Sequence, residues 1–305
     1  MTRRGRQRTS PRPTASATTS QPGAWSSRTR RRARSGTARD GPGRDSAACR
    51  HVCVRWANVD VPKTLGGDVV PGLRAVRELL VAQARPVRKV LIDRSRRDVE
   101  ELVDLARDTG VRVELVDEPR IAREARIDTH QGVVAIAAPV RDVPLDDLLS
   151  ARDAFLVALD GVTDPRNLGA VLRTAEVAGA SGAVLARHRG ALLGPAAMKA
   201  AAGAVEHLPI ALVGGVPGAM EQAARAGVWT VGLDAAGTMP VRELPVADAP
   251  VMLVLGAEGR GLSRLVRERC DVLASIPVRG HVESLNVSAA AAVACFEIAA
   301  RRSGQ

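Results

Sequence analysis

The chain of 305 residues is 46% apolar but only 2% aromatic, with no Tyr. That composition supports sizeable cores in about two domains and excludes a binder that stacks single-stranded bases on aromatic platforms. The net charge of +11 is lopsided: residues 1–67 carry 14 Arg and one Lys against three Asp, while the remainder is close to neutral.

In chain order, residues 1–67 are rich in Arg, Ser, Thr, Pro and Gly without sustained periodicity, and they are predicted to be a disordered basic arm. Five Arg fall between Arg28 and Arg34. Such a run fits a solvated tail, an upstream extension or an RNA-contacting arm, and its charge would attract a polyanion at long range. No secretory apolar region accompanies it, and no apolar run approaches the ~20 residues of a membrane helix. The chain reads as cytoplasmic. Cys49-x-His51-x-Cys53 lacks a second ligand pair at zinc-like spacing, so no metal is expected.

From Val69 the pattern becomes globular. Leu73, Val76, Leu79 and Leu80 set a helix within residues 72–84. Strands are predicted at 87–92, 111–116 and 132–138, with helices at 98–109 and 119–126. This α/β unit occupies residues 68–139. Residues 140–152 read as a linker. A second α/β alternation fills residues 153–303, with strands at 154–159, 183–186, 208–213, 228–233, 251–255 and 272–276. Helices are predicted at 168–178, 196–202, 217–226, 263–269 and 285–301. Strands alternating with helices imply a mostly parallel sheet covered on both faces, with a ligand at the carboxyl ends of its strands. Cys270 and Cys295 lie in apolar-periodic segments and are expected to be buried thiols.

Three segments carry chemistry. The first is Asp160-Gly-Val-Thr-Asp-Pro-Arg-Asn-Leu-Gly-Ala-Val-Leu-Arg-Thr-Ala175. The second is the turn Leu255-Gly-Ala-Glu-Gly-Arg-Gly-Leu262, which follows a strand and does not supply a dinucleotide fingerprint. The third is Ser284-Leu-Asn-Val-Ser288, ahead of an Ala-rich run. From the residues alone, Asp164 or Asn167 could be a helix cap, Ser284 and Asn286 could cap the last helix, and Arg173 could be a surface charge.

Taken together and in this order, the three segments resemble the motifs of the SpoU (TrmH) branch of the SPOUT superfamily, over roughly residues 69–301. The resemblance implies a trefoil-knotted, S-adenosyl-L-methionine-dependent RNA 2′-O-ribose methyltransferase, preceded by a small L30e-like substrate-binding domain. It implies that Gly256, Ile276 and Leu285 hold the adenosine part of the cofactor. It gives Asn167, Arg173, Glu258, Ser284 and Asn286 catalytic roles. It also implies a homodimer. The segments His130–Ala135 and Lys199–Pro209 resemble those of bacterial 23S rRNA guanosine methylases, in which Ser or Thr often occupies one of the positions filled here by Ala201 or Ala202. A guanosine of 23S rRNA is therefore the expected substrate. The alternatives are a tRNA, a resistance-type rRNA adenosine methylase, or an inactive RNA-binding assembly factor.

Overall fold

The computed structural model describes residues 64–281 and 284–303. The Arg-rich run and Cys49, His51 and Cys53 lie outside the described residues. Ordered packing begins ahead of residue 68: Leu65 is fully buried, its amide donates to Val140 O, and Gly67 donates to Leu193 O.

Two sheets organise the described residues. The smaller contains β1 (Val69–Pro71), β2 (Val87–Asp93), β3 (Val113–Val116) and β4 (Val133–Ala137), in the order β1-β4-β2-β3. β4 runs antiparallel to both neighbours, and β3 is parallel to β2. Around it lie α1 (Leu73–Ala82), α2 (Glu100–Asp108) and α3 (Glu118–Ala125). On α1, Val76, Leu79 and Leu80 form the buried stripe that the helical spacing predicts.

The larger sheet contains β5 (Phe155–Asp160), β6 (Gly182–Ala186), β7 (Ile210–Val213), β8 (Trp229–Leu233), β9 (Met239–Pro240), β10 (Val251–Gly256) and β11 (Val272–Ser275). Its order is β7-β6-β5-β10-β8-β11-β9, and every pairing is parallel. The inner strands are buried along almost their whole length, as a sheet covered on both faces requires. The covering helices are α5 (Pro165–Val177), α6 (Pro195–Ala201), α7 (Val216–Ala226), α8 (Arg264–Arg269) and α9 (Val287–Arg302).

Two contacts fix the frame around the site. Gly169 lets α6 press on α5: a Cβ there would lie 2.2 Å from Ala197 O. At the far end of α9, Arg302 donates to the carbonyls of Ala247 and Asp153 at 2.9 and 2.6 Å, and its guanidinium lies 5.2 Å from the Phe155 ring centroid.

The predicted linker is not bare. It carries α4 (Leu145–Leu149), whose Leu145, Leu148 and Leu149 are buried at the spacing of one helical face. The strand expected at 208–213 begins two residues later, because Pro209 precedes it and Ala204–Glu206 forms a 3-10 turn. Cys295 is buried and Cys270 partly so, and burial pushes both thiols up to about 12.

The two α/β units are joined by a buried ion pair. Arg85 gives Nε and Nη2 to the two carboxylate oxygens of Glu206, at 2.9 and 2.7 Å. It also donates Nη1 to Gly67 O at 2.7 Å and to Ala138 O. The two side chains are 8% and 1% exposed, so this is a desolvated, bidentate contact rather than a surface pair.

Candidate active site

Adjacent parallel strands β5 and β10 end in register, with Asp160 opposite Gly256. The loops that leave these carboxyl ends build the site. After β5, Asp164 caps α5 by accepting from Arg166 N at 2.8 Å, with Pro165 at the first helical position. Asn167 is thus inside the first turn rather than at the cap, and it is buried.

After β10 the chain makes a tight turn in which Ala257 N donates to Gly261 O at 3.0 Å and Gly261 N to Ala257 O at 2.8 Å. Gly256 is required here by close approach: a Cβ would lie 2.1 Å from the carbonyl carbon of Gly261. Asp160 stabilises the far side by accepting from Ser263 N at 2.7 Å. The third strand-end loop leads to α9, whose cap is Asn286; its Oδ1 accepts from Ser288 N at 2.8 Å and from Ser288 Oγ at 2.6 Å.

These loops converge on one carboxylate. Glu258 Oε1 accepts from Asn167 Nδ2 at 2.7 Å and from Asn286 Nδ2 at 2.5 Å, and the two amides meet at 3.2 Å. Asn167, Glu258 and Asn286, which lie up to 119 residues apart in sequence, therefore form one closed polar triangle.

Beside the triangle is a cleft of about 260 Å³ whose lining includes Gly256, Glu258, Ile276, Ser284 and Leu285. Leu233, Leu255 and Val287 give it apolar walls. The structure thus brings together seven of the eight residues singled out in the sequence: five line the cleft, and Asn167 and Asn286 bind its Glu258. Arg173 stands apart. It is exposed on α5 and lines a different cleft with Arg74, Arg77, Glu176 and His207.

Residues 154–296 match the SpoU rRNA Methylase family, and residues 69–143 match the RNA 2′-O ribose methyltransferase substrate binding family. The 23S rRNA (guanosine-2′-O-)-methyltransferase RlmB of Ralstonia nicotianae is 39% identical over 239 residues, spanning 76% of this chain and 95% of that one. The chain belongs to the SpoU rRNA methylase family. Solved relatives share the SpoU fold. The SpoU methyltransferase AviRb from Streptomyces viridochromogenes, in complex with the cofactor AdoMet, superposes with a TM-score of 0.66 at 28% identity, covering 77% of this chain and 89% of its own. The AdoMet-bound rRNA methyltransferase from Sinorhizobium meliloti gives 0.63 at 31%, covering 76% and 86%.

Asp234 is a cleft residue that the sequence reading missed. It directly follows β8, lines the cleft and is buried. Its Oδ1 accepts from Ala236 N at 2.9 Å. Its Oδ2 lies 2.6 Å from Arg267 Nη2 but off the hydrogen-bonding axis, so the contact is one of charge only and that oxygen has no hydrogen-bond donor. Its position at the carboxyl end of a strand was the available signal.

Proposed function

We propose that this protein is an S-adenosyl-L-methionine-dependent RNA 2′-O-ribose methyltransferase acting on a guanosine of 23S rRNA. The observation that carries the reading is Glu258 holding the amides of Asn167 and Asn286 at the rim of the cleft. The cleft suits the cofactor. Its backbone rim has no room for a Cβ at Gly256, Leu233, Leu255 and Val287 line it beside the charged Asp234, Glu258, Arg260 and Arg267, and one buried oxygen of Asp234 lacks a hydrogen-bond donor. Gly256, Ile276 and Leu285 would hold the adenosine. When bound there, the cofactor supplies an electrophilic methyl group on a sulfonium.

The chain's own residues have three tasks. A ribose hydroxyl is a poor nucleophile near neutral pH, so the site must hold it in line and stabilise charge developing on its oxygen. Asn286 and Ser284 are short polar groups beside the cleft, suited to orienting that hydroxyl. Glu258 locks both amides in one rotamer, and Arg173 clamps the adjoining phosphate. A guanidinium offers five donors and no acceptor, so Arg173 serves as a clamp rather than as a simple base.

Arg173 lies outside the triangle of its own protomer, which supports a homodimer in which α5 and α9 meet their counterparts. Val177, Val293 and Phe296 are exposed on these two helices, which pack against each other. We read the segment after β10 as threaded into the trefoil knot; β10 and β11 flanking β8 support this. The four-stranded unit we read as the L30e-like domain. No described helix is long and apolar enough to cross a membrane, and we place the protein in the cytoplasm.

The test is 2′-O-methylation mapping of total RNA from cells with and without the gene, alongside calorimetric titration with S-adenosyl-L-methionine. A single lost mark in 23S rRNA is expected. A lost tRNA mark would move the substrate, and absence of cofactor binding would overturn the enzyme reading. Sedimentation at micromolar concentration tests the dimer.

A further inference from the structure

The cleft that holds Arg173 lies at the junction of the two units. Its lining combines Arg74 and Arg77 of α1 with Arg173 and Glu176 of α5 and His207 beyond α6, and its volume is about 470 Å³. The charges there divide into two groups. Arg77 is committed to Glu78 and Glu101 at 2.9 and 3.0 Å, and His207 lies 3.2 Å from Glu78. Arg74 and Arg173, by contrast, have no hydrogen bond or ion pair among the described residues. Both are exposed. Two uncommitted guanidinium groups, one from each unit, thus face a common space.

We propose that this cleft is a phosphate clamp for the RNA strand flanking the target nucleotide, with Arg74 as its second jaw opposite Arg173. The inference rests on the methyltransferase reading above. A planar guanidinium fork matches two phosphate oxygens, and two such forks on different elements fix both the position and the direction of a backbone. Glu176, one turn beyond Arg173 and with no side-chain partner among the described residues, offers an acceptor to a ribose hydroxyl or base amino group beside the clamp. A bare polyanion sink would gain nothing from that carboxylate.

The jaws sit on elements that a buried ion pair ties together. The buried Arg85–Glu206 pair ties the loop after α1 to the segment that forms the cleft floor at Gly203 and Ala204. The small unit therefore delivers RNA to α5.

The test uses the full chain with Arg74→Ala and Arg74→Lys. A fluorescent in vitro-transcribed 23S rRNA fragment is titrated across a salt series, and S-adenosyl-L-methionine is titrated by calorimetry. Arg74→Ala should weaken RNA binding roughly tenfold and flatten the slope of log K against log salt by about 0.7 to 0.9, the value of one phosphate contact. Arg74→Lys should keep the wild-type slope, and cofactor affinity should hold in both. An unchanged slope and affinity in Arg74→Ala would overturn the clamp. So would a change in sedimentation with an unchanged slope, which would assign the cleft to a second copy of the chain. Failure of the unsubstituted protein to bind cofactor would instead sink the methyltransferase reading, since the salt slope reads the clamp separately.

Discussion

Glu258 Oε1 lies 2.5 Å from Asn286 Nδ2, and the same oxygen takes Asn167 Nδ2 at 2.7 Å. One carboxylate thus fixes the start of two helices, α5 and α9, against the turn after β10. Its charge strengthens both bonds relative to a neutral acceptor. Glu258→Gln keeps the shape and loses that charge. Methyl transfer should fall by on the order of 10², the scale of a disturbed preorganised polar group. Cofactor affinity should change little, because the apolar walls are untouched. Single-turnover transfer measured beside calorimetry separates the two. Equal losses in both would make Glu258 a cofactor contact instead.

Gly256→Ala should be enough to remove cofactor binding. The added methyl would lie 2.1 Å from the Gly261 carbonyl carbon and 2.3 Å from Leu262 N, both backbone atoms that cannot rotate away. The turn must open, and the cleft loses its rim. Calorimetry should find no saturable binding, and the thermal midpoint should drop. Wild-type affinity in a folded variant would remove this turn from the cofactor site.

The site was legible in the sequence to the extent that it is local. Strand, Gly-rich turn and helix can be read around Gly256, and the small polar residues before α9 stand out against the Ala-rich run. The convergence of Asn167, Glu258 and Asn286 was not readable from periodicity, since it depends on β5 and β10 being neighbours although four strands and three helices intervene. It came through the family resemblance. β9 was missed because two residues, one of them Pro240, give no alternation to detect. α4 was missed because its Pro and Asp flanks signal a break, yet three leucines on one face bury it. Asp234 was missed because a lone acid after a strand is common. The separation of Arg173 from the triangle is a matter of helix geometry: six positions from Asn167 on α5 carry it round to another side.

Breaking the joint between the units should be costly. Arg85→Ala leaves the Glu206 carboxylate buried without its partner, which typically costs about 3–5 kcal/mol. At this chain length that corresponds to a fall of on the order of 10 °C in Tm. Glu206→Gln retains an acceptor for Arg85 and should cost less. Calorimetric or circular-dichroism melting checks both. Equal, small effects would mean the units are held by their shared apolar core instead.

The two thiols, Cys295 buried and Cys270 partly so, set an alkaline limit. Burial raises both Cys270 and Cys295 from 9.0 to about 12. The native state therefore keeps protons that the unfolded chain gives up. Their contribution is fully present below pH 9 and is lost as pH rises toward 12. Urea melts should shift downward across that window, and less so in Cys295→Ala, after its packing loss is measured at pH 7. At pH 8 both thiols should resist alkylation until urea is added, as peptide mass spectrometry would detect. Rapid native labelling of Cys295 would contradict its burial.

Arg173→Ala should abolish most methyl transfer while leaving the fold and cofactor affinity intact. The guanidinium is exposed and lines a cleft separate from the one beside Gly256, so its removal disturbs neither core nor cofactor walls. Loss of a fixed charge that acts at the transition state costs ~10²–10³ in rate. Arg173→Lys should fail as well, because a point ammonium cannot reproduce a planar two-pronged contact with phosphate. If Arg173 serves the partner protomer's cleft, mixing inactive Arg173→Ala chains with inactive Glu258→Gln chains should restore activity in the mixed dimers. Each mixed dimer would then carry one intact site. No restoration, with dimers demonstrably exchanged, would return Arg173 to the site of its own protomer. Retention of more than about a tenth of the rate in Arg173→Ala, well outside the expected loss, would leave it only an interface charge.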